Sequence, residues 1–160
     1  MTDGTSVAAE RYDAALDRVL ELVVVINDDM TRSLARDGLT VSRAHLLWEL
    51  RRRGPVPQRE LADALGVTAR TITGLVDGLV ATGFVTREAH PTDRRAALVT
   101  FTGHGAATVD AMAAGQREFS RVLFAGLPAD RFECLVAGLD HLLGRLRAHG
   151  VAPGTPEEDQ

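Results

Sequence analysis

Between Gln58 and Arg95 the chain sets out a series of side chains suited to holding phosphates and reading base edges. Gln58 and Arg59 come first, then Thr68, Ala69, Arg70, Thr71 and Thr73, and after a gap Arg94 and Arg95. Guanidinium forks match phosphate and guanine acceptors, threonine hydroxyls donate or accept, and an alanine or threonine methyl can touch a thymine methyl. Asp93 cannot attract phosphate. Its expected partner is a neighbouring arginine, Arg95 first, and its expected role is to brace the tip that carries Arg94. No other part of the chain offers comparable chemistry. There is no Gly-x-Ser-x-Gly, phosphate loop or dinucleotide fingerprint, and Ser6, Ser33, Ser42 and Ser120 have no evident base near them in sequence. The five histidines (45, 90, 104, 141, 149) form no close-spaced pair with one another or with Cys134. No catalytic residue, metal ligand set or cofactor is therefore expected.

The flanking pattern says what positions these residues. Gln58 to Leu65 reads as a helix with Leu61, Ala62 and Leu65 inward, and Gly66 makes a turn. Thr68 has the chemistry of an N-cap for a next helix running to about Thr82, with Ile72, Leu75, Val76 and Leu79 on its inner face and Gly83 closing it. Small Ala62 and Gly66 let the two helices approach. Phe84 to Ala89 and Ala96 to Phe101 are short runs of β-type residues, separated by His90-Pro-Thr-Asp-Arg-Arg95, a hairpin loop. The run is a helix-turn-helix followed by a wing. In such a unit the first helix crosses the backbone and the second enters the major groove, while Arg94 at the hairpin tip is placed for a narrow minor groove.

Long amphipathic helices surround this unit. Tyr12, Leu16, Val19, Val23, Ile26, Met30 and Leu34 recur at three and four residues over about Ser6 to Arg36, and Gly38 stops that helix. A second spans about Ser42 to Arg53, with Ala44, Leu47 and Leu50 on one face, before Gly54-Pro55. Thr102 caps a helix to about Ala125, with Val109, Met112, Gln116, Phe119 and Leu123 on one side. Pro128 opens a last one to about Ala148, with Phe132, Leu135, Val136, Leu139, Leu142, Leu143 and Leu146. The expected fold is mainly α, about six helices with a small β-hairpin wing. Residues 38–102 form the winged helix-turn-helix lobe, 6–37 and 103–149 a helical dimerisation region, and 150–160, rich in Pro, Gly and acids, a disordered tail. Three striped terminal helices are too few to bury one another, so a second copy across a two-fold axis is the expected partner.

Composition is permissive. The 160 residues are those of a soluble globular chain with net charge -4. No apolar run reaches the ~20 residues of a membrane span, and Met1 to Ala9 lacks the pattern of a signal peptide. One cysteine excludes an intramolecular disulfide and fits a cytoplasmic location. Residues 51–95 hold eight arginines against five acids, a local +3, leaving -7 elsewhere. A basic patch on an acidic body suits a DNA face. Docking onto another protein, which winged helices also do, is the alternative, and the acidic total favours it slightly.

Leu61-Ala-Asp-Ala-Leu-Gly-Val-Thr68, Thr71-Ile-Thr-Gly-Leu-Val-Asp-Gly-Leu79, Gly83-Phe-Val-Thr-Arg87, Asp93-Arg-Arg95 and Phe101-Thr-Gly-His-Gly105 resemble the multiple-antibiotic-resistance regulator (MarR) family. The likeness covers about Leu39 to Gly105 in motif detail and the whole chain in helix order. It implies a triangular homodimer with interlocked terminal helices, whose two lobes bind successive major grooves of an inverted repeat in double-stranded DNA. It implies a repressor released by a small aromatic or phenolic ligand or by an oxidant. Gly74 departs from the pattern, standing where many members carry a basic residue, which shifts weight to Arg70. The family's ligand crevice borders His45 and Trp48, with Asn27 and Met30 on the first helix as further candidates. Trp48 otherwise reads as core. Oxidant-sensing members carry a cysteine near the N-terminus, and none matches here; Cys134, beside Leu135 and Val136, reads as a buried interface residue. Some members bind zinc, but no ligand cluster is visible here.

Overall fold

A computed structural model describes residues 3–92 and 97–151, with side chains from residue 9 onward. The chain divides into two compact units, Met1–Ala44 and His45–Gln160. The first is dominated by α1 (Asp3–Arg36), a 34-residue helix. Its end is closed by Gly38, at φ 68°, with the Leu39 N–H donating to the Leu34 carbonyl at 3.0 Å. Helix α2 (Val41–Arg53) begins in this unit and continues into the next.

The second unit follows the sequence pattern closely. After α2 come β1 (Val56–Pro57), α3 (Gln58–Leu65), α4 (Ala69–Ala81), β2 (Val85–Ala89), β3 (Ala97–Phe101), α5 (Gly103–Phe124) and α6 (Ala129–Ala148). The three strands form one antiparallel sheet in the order β1-β3-β2, with Val56 opposite Val99 and Val85 opposite Phe101. Strand β1 was not expected. It is two residues long, and Pro57 cannot donate to a ladder, so it sits at the edge and passes directly into α3.

Apolar burial holds this unit together. Leu46, Leu47 and Leu50 of α2, Leu61 of α3, Ile72, Val76 and Leu79 of α4, Val85 of β2, Val99 of β3 and Val109 of α5 are all essentially inaccessible. Most come from the stripe expected of their element; Leu46 is buried beside the expected stripe of α2, and Leu75, expected on the inner face of α4, is half-buried. Leu65, expected inside, is half-buried, because it is the last residue of α3 and the chain turns away at Gly66.

The outer helices behave differently. Tyr12 is 74% exposed, and Leu16, Val19, Val23 and Met30 of α1 are exposed with it. Helix α6 buries none of its residues, and Leu135, Val136, Leu139, Leu142, Leu143 and Leu146 are open. Only the first half of α5 contributes buried residues: Gly105, Val109 and Ala113. No single described helix is long and apolar enough to cross a membrane.

Candidate nucleic-acid interface

Two short helices meeting at a sharp corner make the site. The axes of α3 and α4 differ by 116°, within the range of a helix-turn-helix. Gly66 makes the turn in the left-handed region, φ 66° and ψ 28°, a conformation that glycine adopts without steric cost. Thr68 is extended, and its hydroxyl oxygen accepts from the Thr71 N–H at 3.1 Å while lying 2.8 Å from the Thr71 hydroxyl. The cap places Ala69, Arg70, Thr71, Thr73 and Gly74 on the first two turns of α4, and of these only Thr71 is even half-buried.

The cationic groups separate into two kinds. Arg59 on α3 and Arg70 on α4 are exposed and pair with no other described residue. The run Arg51-Arg52-Arg53, counted in the basic patch of the sequence, is engaged within the fold. Arg51 donates to the Val109 carbonyl at 3.0 Å and pairs with Asp110 at 2.8 Å. Arg52, at 2.7 Å, and Arg53 both hold Glu49, whose side chain is mostly buried. The local surplus of positive charge therefore overstates the charge available to a phosphate, since Glu49 and Asp110 lie outside or far from the run in sequence but face it in space.

Glu49 carries a consequence for stability. Hydrogen bonds from Arg52, then Arg53, hold its carboxyl below the ordinary value near 4.5. A carboxylate depressed in the folded state contributes stability above its unfolded pKa and loses it as pH falls through the folded one. In denaturant melts across a pH series, wild type should exceed Glu49→Gln by a constant margin above about pH 5, and the margin should shrink steadily in acid. A pH-independent margin would show that the pair contributes nothing.

Gln58 and Thr73, expected as DNA contacts, are joined to each other. The Gln58 amide nitrogen donates to the Thr73 hydroxyl at 2.6 Å, and that hydroxyl donates to the Ala69 carbonyl at 2.7 Å. Gln58 Oε1 accepts from Arg87 of β2 at 3.3 Å, and Arg87 also pairs with Asp77 of α4 at 2.6 Å. Arg87 and its bridge to Asp77 were not anticipated. They depend on a strand and a helix meeting face to face, which no local pattern reveals. Asp93, Arg94 and Arg95, expected at the wing tip, lie outside the described residues, as do residues 152–160 of the expected tail.

His45 and Trp48 do come together, in an open depression of about 550 Å³ that Glu49, Arg51, Arg52 and Leu65 also line. Trp48 is half-buried rather than core, with the Arg51 guanidinium 5.9 Å from its ring centre. Asn27 and Met30 belong to the first unit, and both are exposed. Cys134, expected to be buried, is exposed in the single chain, like its neighbours on α6. No group of three His, Cys, Asp or Glu suited to a metal ion occurs among the described residues.

Helix, glycine turn, capped helix and paired strands define a winged helix-turn-helix. Residues 39–97 match the sequence model of the MarR family. The HTH-type transcriptional repressor NicR of Pseudomonas putida is 40% identical over 83 residues, 52% of each chain. The chain spans about half the length, or less, of the curated relatives it matches. Among solved structures, a probable transcriptional regulator from Pseudomonas aeruginosa is 30% identical, with 79% of this chain and 98% of that one aligned at a TM-score of 0.54. A mutant of S. aureus MepR bound to an oligodeoxyribonucleotide aligns with 83% of this chain and 96% of its own at a TM-score of 0.62 and 22% identity. The chain belongs to the MarR family.

Proposed function

We propose that this protein is a sequence-specific DNA-binding transcriptional regulator, a homodimeric repressor of an inverted repeat. The observation that carries the reading is the capped α4, held at 116° to α3 with Thr68, Arg70 and Thr73 exposed. An arginine at the start of a helix that pairs with no described residue, where backbone N–H groups also point outward, suits a phosphate or a guanine edge. That NicR is a repressor and that the MepR structure includes an oligodeoxyribonucleotide support the reading.

Dimerisation is inferred from the unburied apolar stripes of α1 and α6. Residues 6–37 and 103–149 form the dimer region and 38–102 the reading lobe. Exposed leucines in such number are costly in water, and a second copy removes them. Cys134 is then an interface residue. The location is cytoplasmic. Release by a small aromatic or phenolic ligand is the proposed control. His45 and Trp48 offer it a polar edge and a ring to stack on.

Gel-shift titration against salt tests the core of this. With several phosphate contacts, log affinity should fall steeply and linearly with log salt, by about 0.9 per phosphate contact. No binding to any DNA at low salt by a folded dimer would favour a protein-docking module.

A further inference from the structure

We infer that Arg87 and Asp77 are positioning residues that fix the angle between the wing and the reading helix, and so set specificity. The inference rests on the DNA-reading function proposed above. Helix α4 and strand β2 are joined by a corner at Thr82, Gly83 and Phe84, with Gly83 at φ 77°. A corner of this kind leaves the arm free to swing unless something crosses it. Arg87 does so. It stands in the middle of β2, opposite Val99 of β3, and its guanidinium reaches Asp77, in the middle of α4, at 2.6 Å. The same nitrogen lies 3.3 Å from Gln58 Oε1 at the first residue of α3. One guanidinium therefore ties together wing strand, reading helix and supporting helix.

The tie continues in a single direction. Arg87 donates to Gln58, Gln58 to the Thr73 hydroxyl, and Thr73 to the Ala69 carbonyl. This order fixes the Gln58 amide, oxygen toward Arg87 and nitrogen toward α4. It uses the only proton of the Thr73 hydroxyl, so at a base edge Thr73 is presented as an acceptor. Specificity requires groups whose hydrogen-bonding sense is settled before contact, and a braced hydroxyl meets that need.

Two simpler accounts make opposite predictions. Arg87 and Asp77 are both well exposed, and an exposed ion pair contributes little to global stability. If Arg87 were only a phosphate contact, its removal would lower the salt slope. If Asp77 were only an acid near DNA, Asp77→Asn would tighten binding by removing repulsion.

The test compares wild type, Asp77→Asn, Arg87→Ala and the exchanged pair Asp77→Arg with Arg87→Asp. Each is titrated against a selected operator and against unrelated duplex, with amide hydrogen exchange on the DNA-free proteins. Positioning predicts that Asp77→Asn weakens operator binding about tenfold, the scale of one lost base contact. Affinity for unrelated duplex should be unchanged or higher, and the salt slope unchanged. The exchanged pair should recover most of the loss, and exchange should quicken in β2 and the first turns of α4 in both single variants. The inference is overturned if Asp77→Asn binds the operator as tightly as wild type or more so, or if Arg87→Ala loses about one unit of salt slope at equal specificity. Should wild type bind no DNA at low salt, the proposed function fails instead. Exchange alone then decides the brace: quickened exchange supports it and unchanged exchange overturns it.

Discussion

Gly105→Ala should lose about 3 kcal/mol of folding stability, at the upper end for overpacking a tight site. A Cβ on Gly105 would stand 1.8 Å from the Phe84 carbonyl oxygen and 2.7 Å from its carbon. Both are backbone atoms, so no side chain can rotate away. Nor is the backbone free to retreat. The Phe84 carbonyl accepts from the Thr102 N–H at 3.1 Å, and the Thr102 hydroxyl donates to the Gly83 carbonyl at 2.6 Å while accepting from the Gly105 N–H at 3.0 Å. The His104 ring lies 4.8 Å from that of Phe84. The first turn of α5 is thus pinned to the corner that follows the reading helix, and a methyl group must break several of these contacts at once. Gly74→Ala is the control. It sits inside α4 with nothing within 4 Å of the added atom, so the same substitution should stabilise by up to about 1 kcal/mol through helix propensity. Chemical denaturation of both variants reads the difference. Equal, small effects would show that the α5 corner is not tightly packed.

The second large effect concerns DNA. Arg70→Ala should cost about 1–3 kcal/mol on the preferred site and relax the choice of base at one position, as the loss of a bidentate contact does. Arg70 is the second residue of α4, exposed and unpaired by any described residue, and Gly74 contributes no side chain one turn further on. Arg94→Ala should instead weaken binding to all sequences and lower the salt slope by about 1, the signature of a backbone or groove contact without base choice. Selection of binding sites from a random duplex pool separates the two. Arg70→Ala selecting the same consensus at the same stringency would exclude Arg70 from base reading. Undiminished affinity in Arg94→Ala would exclude the wing.

The features legible in the sequence are those with local causes. Thr68 and Thr102 cap because a hydroxyl bonds an N–H three residues on, which needs no tertiary contact. Gly66 turns because its φ is positive, and the inner stripes of α2 to α4 repeat at helical spacing. Most of what escaped is non-local. Strand β1 exists only because Val56 finds Val99 far along the chain. Arg51 reads as part of a DNA patch until Asp110, 59 residues on, is seen to hold it; Glu49 holds Arg52 and Arg53 at ordinary helical spacing, a local signal that the charge count passed over. Gly105 belongs to a recognisable motif, yet its reason, the Phe84 carbonyl, is 21 residues away. Gln58 and Thr73 were expected at the interface for their chemistry. Their hydrogen bonds to each other and to Arg87 brace them in a way that composition cannot express.

Footprinting the purified protein at low salt on DNA upstream of its own gene and of the divergent neighbour tests the central claim most directly. Two protected stretches should appear on one face of the duplex, centred about 10 base pairs apart or a multiple of that and related by a two-fold axis. Flanking protection is expected where each wing enters the minor groove. A folded protein that protects no stretch of such DNA at any salt concentration would contradict the account.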